Sequence, residues 1–101
     1  MAGVGTLLKQ AAKMQKKIEA LQAELAAQTL DVAKGGGAVK VTISLKQEIK
    51  DLHLDPEFLK EDAATVRETI LEALREAIAL SQKQHEAAMQ SVTAGMKLPG
   101  M

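Results

Sequence analysis

Cysteine, tryptophan, tyrosine and asparagine are all absent from this 101-residue chain, and Phe58 is its one aromatic residue. Without cysteine there are no disulfides and no thiolate metal sites. Proline occurs only at Pro56 and Pro99, so long stretches are free of helix breakers. No apolar run approaches the ~20 residues a membrane-spanning helix needs. The start, Met1-Ala2-Gly3-Val4-Gly5, lacks the basic-then-apolar order of a secretory signal. These absences predict a soluble, cytoplasmic chain, and its length predicts one domain over residues 1–101.

An excess of either charge is also missing, since 13 basic residues face 13 acidic ones. The distribution is uneven. Residues 1–50 carry eight lysines against Glu19, Glu24, Asp31 and Glu48, and residues 51–101 carry nine acids against five basic residues. Such asymmetry between halves is a hint of polyanion binding. Its plainer explanation is attraction between the two halves.

What is present reads as two long helices around a short block of strands. Thr6 to about Ala27 is rich in Ala, Leu, Lys, Gln and Glu, all strong helix formers. Thr6 is the expected N-cap, with Gly3 and Gly5 leaving the start flexible. Leu7, Ala11, Met14, Ile18, Leu21 and Leu25 follow one another in steps of 4, 3, 4, 3 and 4, a narrow heptad seam suited to packing against another helix. Lys9, Lys13, Lys16 and Lys17 share a second face, well away from that seam. Lysines stacked in this way repel one another by a few tenths of a kcal/mol, about the size of any such pair. A phosphate backbone would offset that; a solvated face is the plainer alternative.

Thr29–Ala33 predicts a first strand, and Lys34-Gly35-Gly36-Gly37 a hairpin turn. The turn leads into a strand, not a helix, and lacks the Gly-Lys-Ser/Thr ending of a phosphate loop. Val39, Val41, Ile43 and Leu45 alternate with Lys40, Thr42 and Ser44, giving a second strand with one buried face. A third spans Ile49 to Leu54, where Ile49, Leu52 and Leu54 break strict alternation and point to a bulge or the start of a new face. Asp55-Pro56-Glu57 starts a short helical turn, and Glu61-Asp62 starts the last helix, which runs to about Val92. The expected tail is flexible from about residue 93 to 101. The fold class is α+β, ordered α-β-β-β-α, with a three-stranded antiparallel sheet between two long helices.

A helix of about thirty residues is ~45 Å long, whereas short strands cover only ~20 Å. The last helix must overhang its sheet, and Ala87, Ala88, Met89 and Val92 keep that overhang apolar. A second copy of the chain is the simplest cover, and it would also mask an open sheet edge. A homodimer is therefore expected, a monomeric helical hairpin being the alternative.

Catalysis has little support. Asp51, His53 and Asp55 alternate on one strand face, which a solvated outer face explains, and His85 lies on the last helix. No serine has a visible activating partner. The expectation is a non-enzyme without cofactor or metal.

Four segments, in this order and spacing, carry a family resemblance: LLKQAAKMQKKIEALQAEL at Leu7–Leu25, GGGAVKVTI at Gly35–Ile43, LDPEFL at Leu54–Leu59, and SVTAGMKLPGM at Ser91–Met101. Together they resemble the YbaB/EbfC family of bacterial nucleoid-associated proteins over almost the whole chain. The resemblance implies a tweezer-like α-β-β-β-α homodimer that binds double-stranded DNA with little sequence preference, in the cytoplasm at the nucleoid. Family members often carry an Asn-Gly turn after the second strand, where this chain has Ser44-Leu45-Lys46-Gln47. On this reading Lys9, Lys13, Lys16 and Lys17 contact phosphates as flexible point charges, with Lys83 and Lys97 as weaker candidates. Base readout draws on Arg, Asn or Gln, and here only Gln10 and Gln15 sit among the lysines. The rival reading is a dimeric protein-interaction adaptor, using the Met96, Leu98 and Met101 tail or the acidic Glu68, Glu72 and Glu76 face.

Overall fold

The computed structural model describes residues 2–95. Helix α1 (Ala2–Ala27) leads into strands β1 (Thr29–Lys34), β2 (Val39–Ser44) and β3 (Ile49–Leu54). A 3-10 turn at Phe58–Lys60 precedes helix α2 (Ala63–Gly95). The strands form one antiparallel sheet in the order β1-β2-β3. The α-β-β-β-α order is the one expected, with the candidate tail residues Met96 to Met101 outside the described residues.

Both helices are longer than their sequence signals suggest. α1 begins at Ala2, so Thr6 lies inside it and is not its N-cap. Gly3 and Gly5 weaken a helix by about 1 kcal/mol each relative to Ala, yet extending an existing helix costs far less than nucleating one. α2 reaches Gly95, past the expected end at Val92. Its start follows the expected chemistry. The Asp62 carboxylate accepts from the Thr65 backbone N–H at 3.1 Å and from its hydroxyl at 2.6 Å. Upstream, the Asp55 carboxylate accepts from the Glu57 N–H at 3.0 Å and sets the 3-10 turn.

The β1–β2 turn uses its glycines for backbone conformations with positive φ at Gly35, Gly36 and Gly37. Gly35 has a second reason: a Cβ there would meet the Thr69 methyl at 3.2 Å, because α2 passes close by. The expected irregularity in β3 falls at Lys50. Thr42 pairs with Asp51 and Ile43 with Ile49, so Lys50 has no partner across the ladder. This bulge returns Ile49 to the same face as Leu52 and Leu54, which pair with Val41 and Val39.

The core lies between α2 and the first two strands. Val32, Val39, Val41 and Ile43 face Ala73 and Ala77 of α2, flanked by Leu30, Leu54, Phe58, Ile70 and Leu74. Alanines one helical turn apart let α2 lie close on the sheet. α2 crosses β1 and β2 and leaves β3 largely bare. Ile49 and Leu52 are 44% and 41% exposed although they stand on the core face of the sheet.

The molecule is an elongated body of 71 × 22 × 16 Å with a radius of gyration of 20.0 Å. A compact domain of this length would have a radius near 13 Å. α1 accounts for much of the excess. It meets the rest of the chain at its C-terminal end, where Leu25 is buried and its carbonyl accepts from the Leu45 N–H at 3.1 Å. One turn earlier, Gln22 Nε2 reaches the Met89 sulfur at 3.7 Å. The overhang of α2 is thus partly covered by α1 of the same chain. Bare apolar surface lies on β3, on the free part of α1, at Leu59, and at Ile78 and Leu80 of α2.

Candidate nucleic-acid interface

α1 runs past the sheet as an arm, and its residues from Gly3 to Lys13 are exposed among the described residues. Val4, Leu7 and Leu8 are 58%, 65% and 67% exposed. Lys9, Lys13, Lys16 and Lys17 lie on this arm and all four are exposed. From Lys9 to Lys17 the stripe spans about 12 Å, a length of duplex that carries about seven phosphates. Lys83 is exposed on α2. Lys97 lies outside the described residues.

Ion pairing sorts the cations into two groups. Lys34 pairs with Glu76 at 2.9 Å, Lys40 with Asp31 at 4.0 Å, Lys50 with Glu48 at 3.3 Å, Lys60 with Glu57 at 3.2 Å and Arg67 with Glu68 at 3.7 Å. A hydrogen bond and the charge of Glu76 raise the Lys34 ammonium above its ordinary value. Among the described residues, no carboxylate pairs with Lys9, Lys13, Lys16, Lys17 or Lys83. Exposed pairs contribute little stability, but they cancel charge locally. The zero net charge of the chain therefore hides an uncompensated cationic arm. Lys46 and Arg75 are further exposed cations without an ion pair among the described residues, and Lys46 lies in the turn between β2 and β3. Sequence reading passed over it as a turn residue, and its only signal was a position between the two best strands.

A polar cluster lies at the base of the arm. The buried Ser81 hydroxyl donates to the Ser44 carbonyl at 2.7 Å and accepts from Gln47 Nε2 at 3.1 Å. The same Gln47 amide donates to the Leu45 carbonyl at 3.0 Å. These bonds hold Gln47 at a φ of 62°, a left-handed conformation that glycine adopts more easily. The turn that departs from Asn-Gly is thus secured by side-chain bonds. His85 Nδ1 lies 2.8 Å from the Leu45 carbonyl, and since a carbonyl only accepts, that nitrogen carries the hydrogen. His53 stands across from Lys40 on exposed β3, so the structure does not bring the two histidines together. Among the described residues no three His, Asp or Glu side chains are grouped as a metal site, and no helix is long and apolar enough to cross a membrane.

The fold is that of a small mixed α+β chain whose projecting helix carries a stripe of exposed lysines. Residues 1–96 match the sequence profile of the YbaB/EbfC DNA-binding family, and the chain belongs to that family. A nucleoid-associated protein of Rhodopseudomonas palustris (strain HaA2) is 40% identical over 103 residues, covering 98% of this chain and 94% of the relative. The nucleoid-associated protein CA_C0126 of Clostridium acetobutylicum is 33% identical over 99 residues, covering 97% and 88%. One from Methylocella silvestris is 38% identical over 94 residues, covering 92% and 88%. In fold, the chain is similar to the crystal structure of the uncharacterized protein HP0035 from Helicobacter pylori, with a TM-score of 0.77 at 21% identity over 89% of this chain and 92% of that one.

Proposed function

We propose that this protein is a nucleoid-associated, cytoplasmic DNA-binding protein. It acts as a homodimer that grips double-stranded DNA through the lysines of its two α1 arms, without catalysing a reaction. The observation that carries this reading is the unpaired Lys9, Lys13, Lys16 and Lys17 stripe on a projecting helix, in a chain of a DNA-binding family.

Low sequence preference follows from what the arm lacks. α1 has no Arg and no Asn, and the Gln15 amide donates to Glu19 at 3.3 Å. Lysine contacts to phosphate position a protein without reading bases. Dimerisation is supported by β3. It is an edge strand, and edge strands pair readily with another chain. Ile49 and Leu52 on it, and the 40%-exposed Ile78 of α2, offer apolar surface for a second copy. Two copies joined there would send two cationic arms outward.

Gel-shift titration of an unrelated-sequence duplex over a salt series tests the reading. Wild type should shift DNA at low salt and release it steeply as salt rises. The quadruple variant with Lys9, Lys13, Lys16 and Lys17 all changed to Gln should bind far more weakly. Equal binding by that variant would move the site elsewhere. Absence of any shift even at low salt would favour the adaptor reading.

A further inference from the structure

The arm carries a second face that phosphate contact does not use. Val4, Leu7, Leu8, Ala11, Met14 and Ile18 fall within an arc of about 120° at ~100° per residue, and the lysine stripe is centred about 180° away. Val4, Leu7 and Leu8 are the most exposed large apolar side chains of the described residues. The α2 of the same chain does not reach them. α1 runs toward the sheet and α2 away from it, with Gln22 beside Met89. Gly95 is six residues past Met89, about 9 Å along α2. That distance ends near Lys16, so the apolar part of the arm before Lys16 has no described part of α2 alongside.

We infer that this seam pairs, in antiparallel fashion, with the same seam on the arm of a second dimer, coupling neighbouring dimers on DNA. The inference rests on the DNA-binding homodimer proposed above. Three observations favour a second α1 as the occupant. The steps of 4 and 3 between seam residues are those of helix-to-helix packing. At ~100° per residue the positions bordering the seam are Gly3, Gln10, Ala12, Lys17 and Glu19, so one cation and one anion flank it at the end nearer the sheet and two antiparallel faces bring no like charges together. The lysines face away, so pairing through the seam leaves them free for phosphate.

Area sets the strength. Two heptads fall well short of the roughly 1,200–2,000 Å² that stable interfaces bury. Arms of free dimers therefore remain apart at micromolar concentration. DNA that holds two dimers side by side raises their effective concentration and lets the weak contact form. The result is cooperative coverage of the duplex.

A neutral double variant, Leu7→Gln with Leu8→Gln, isolates the seam without changing the charge of the arm. On a duplex long enough for one dimer its affinity should stay within about twofold of wild type, because the phosphate contacts are intact. On a long duplex, wild type should bind cooperatively, and the variant's Hill slope should fall to about 1. In an Ala11→Cys variant, whose thiol sits at the centre of the antiparallel overlap and so meets its own copy, oxidation on long DNA should give a disulfide-linked species that joins two dimers, four chains in all. Non-cooperative wild-type binding, undiminished cooperativity in the double variant, or a disulfide joining only the two arms of one dimer would overturn the inference. So would loss of short-duplex affinity in the double variant, which would place the seam against DNA itself. Failure of wild type to bind even the short duplex would instead remove the DNA-binding reading beneath it.

Discussion

Ser81 shows how much one side chain holds in a molecule with so small a core. Its hydroxyl is fully buried, donates to the Ser44 carbonyl and accepts from Gln47. Ser81→Ala leaves that buried carbonyl without this donor and loosens Gln47 from its left-handed turn. The Ser44 carbonyl keeps the Gln47 backbone N–H at 3.1 Å, so chemical denaturation should show a loss of about 0.5–1.5 kcal/mol, the usual worth of one hydrogen bond. Asp62 gives the pH-dependent counterpart. Hydrogen bonds from the Thr65 hydroxyl and N–H hold its carboxyl below the ordinary value of 3.8. A depressed acid stabilises the fold while ionised, so its contribution is complete above about pH 4 and disappears as pH falls through the depressed native value. Asp62→Asn keeps a capping oxygen and removes the titration. Thermal melts should therefore show a smaller loss of Tm on acidification for the variant than for wild type. The helix start at Glu61-Asp62 was legible from residue types alone, and the structure adds that Asp62 caps it. The Ser81 cluster was not legible, because its members come from a turn and a helix 34 residues apart in the chain.

α1 is two surfaces on one rod, and β3 is one surface without a cover. Changing Lys9, Lys13, Lys16 and Lys17 to Gln removes only exposed charge and keeps good helix formers. Circular dichroism should show wild-type helix content, and DNA affinity should fall at least tenfold at low salt. On β3, Leu52→Glu introduces a charge at a half-open position that contributes little to this chain's own core. Sedimentation should then report the 10.8 kDa chain where wild type sediments at twice that mass. A wild-type chain sedimenting as a folded monomer would sink the dimer reading. The strands, the irregularity in β3 and the Asp-Pro helix start followed from alternation and capping chemistry. The start of α1 did not, because Thr6 after two glycines is a good local stop signal that helix propagation overrode.

The whole molecule is a 71 Å body with no net charge, and its behaviour with polyanions depends on where its charges sit. Cations on the sheet and at the start of α2 are paired with acids, and those of the arm are not. Binding should therefore be steeply salt-dependent despite neutrality. If all eight stripe lysines of a dimer engage phosphates, log K against log salt should fall with a slope near −7, which is an upper bound. A slope near zero in the same titration would exclude phosphate contact as the source of affinity.

By itself the sequence determined the elements, their order and the faces of α1, since these depend on period, capping and propensity over a few neighbouring residues. Family membership was also legible, in four short segments whose order spans the chain. Only the tertiary structure decided which lysines are neutralised by acids, that α2 covers two strands of three, and that the overhang of α2 is partly met by α1. Those outcomes depend on contacts between residues far apart in the chain, for which local periodicity carries no information.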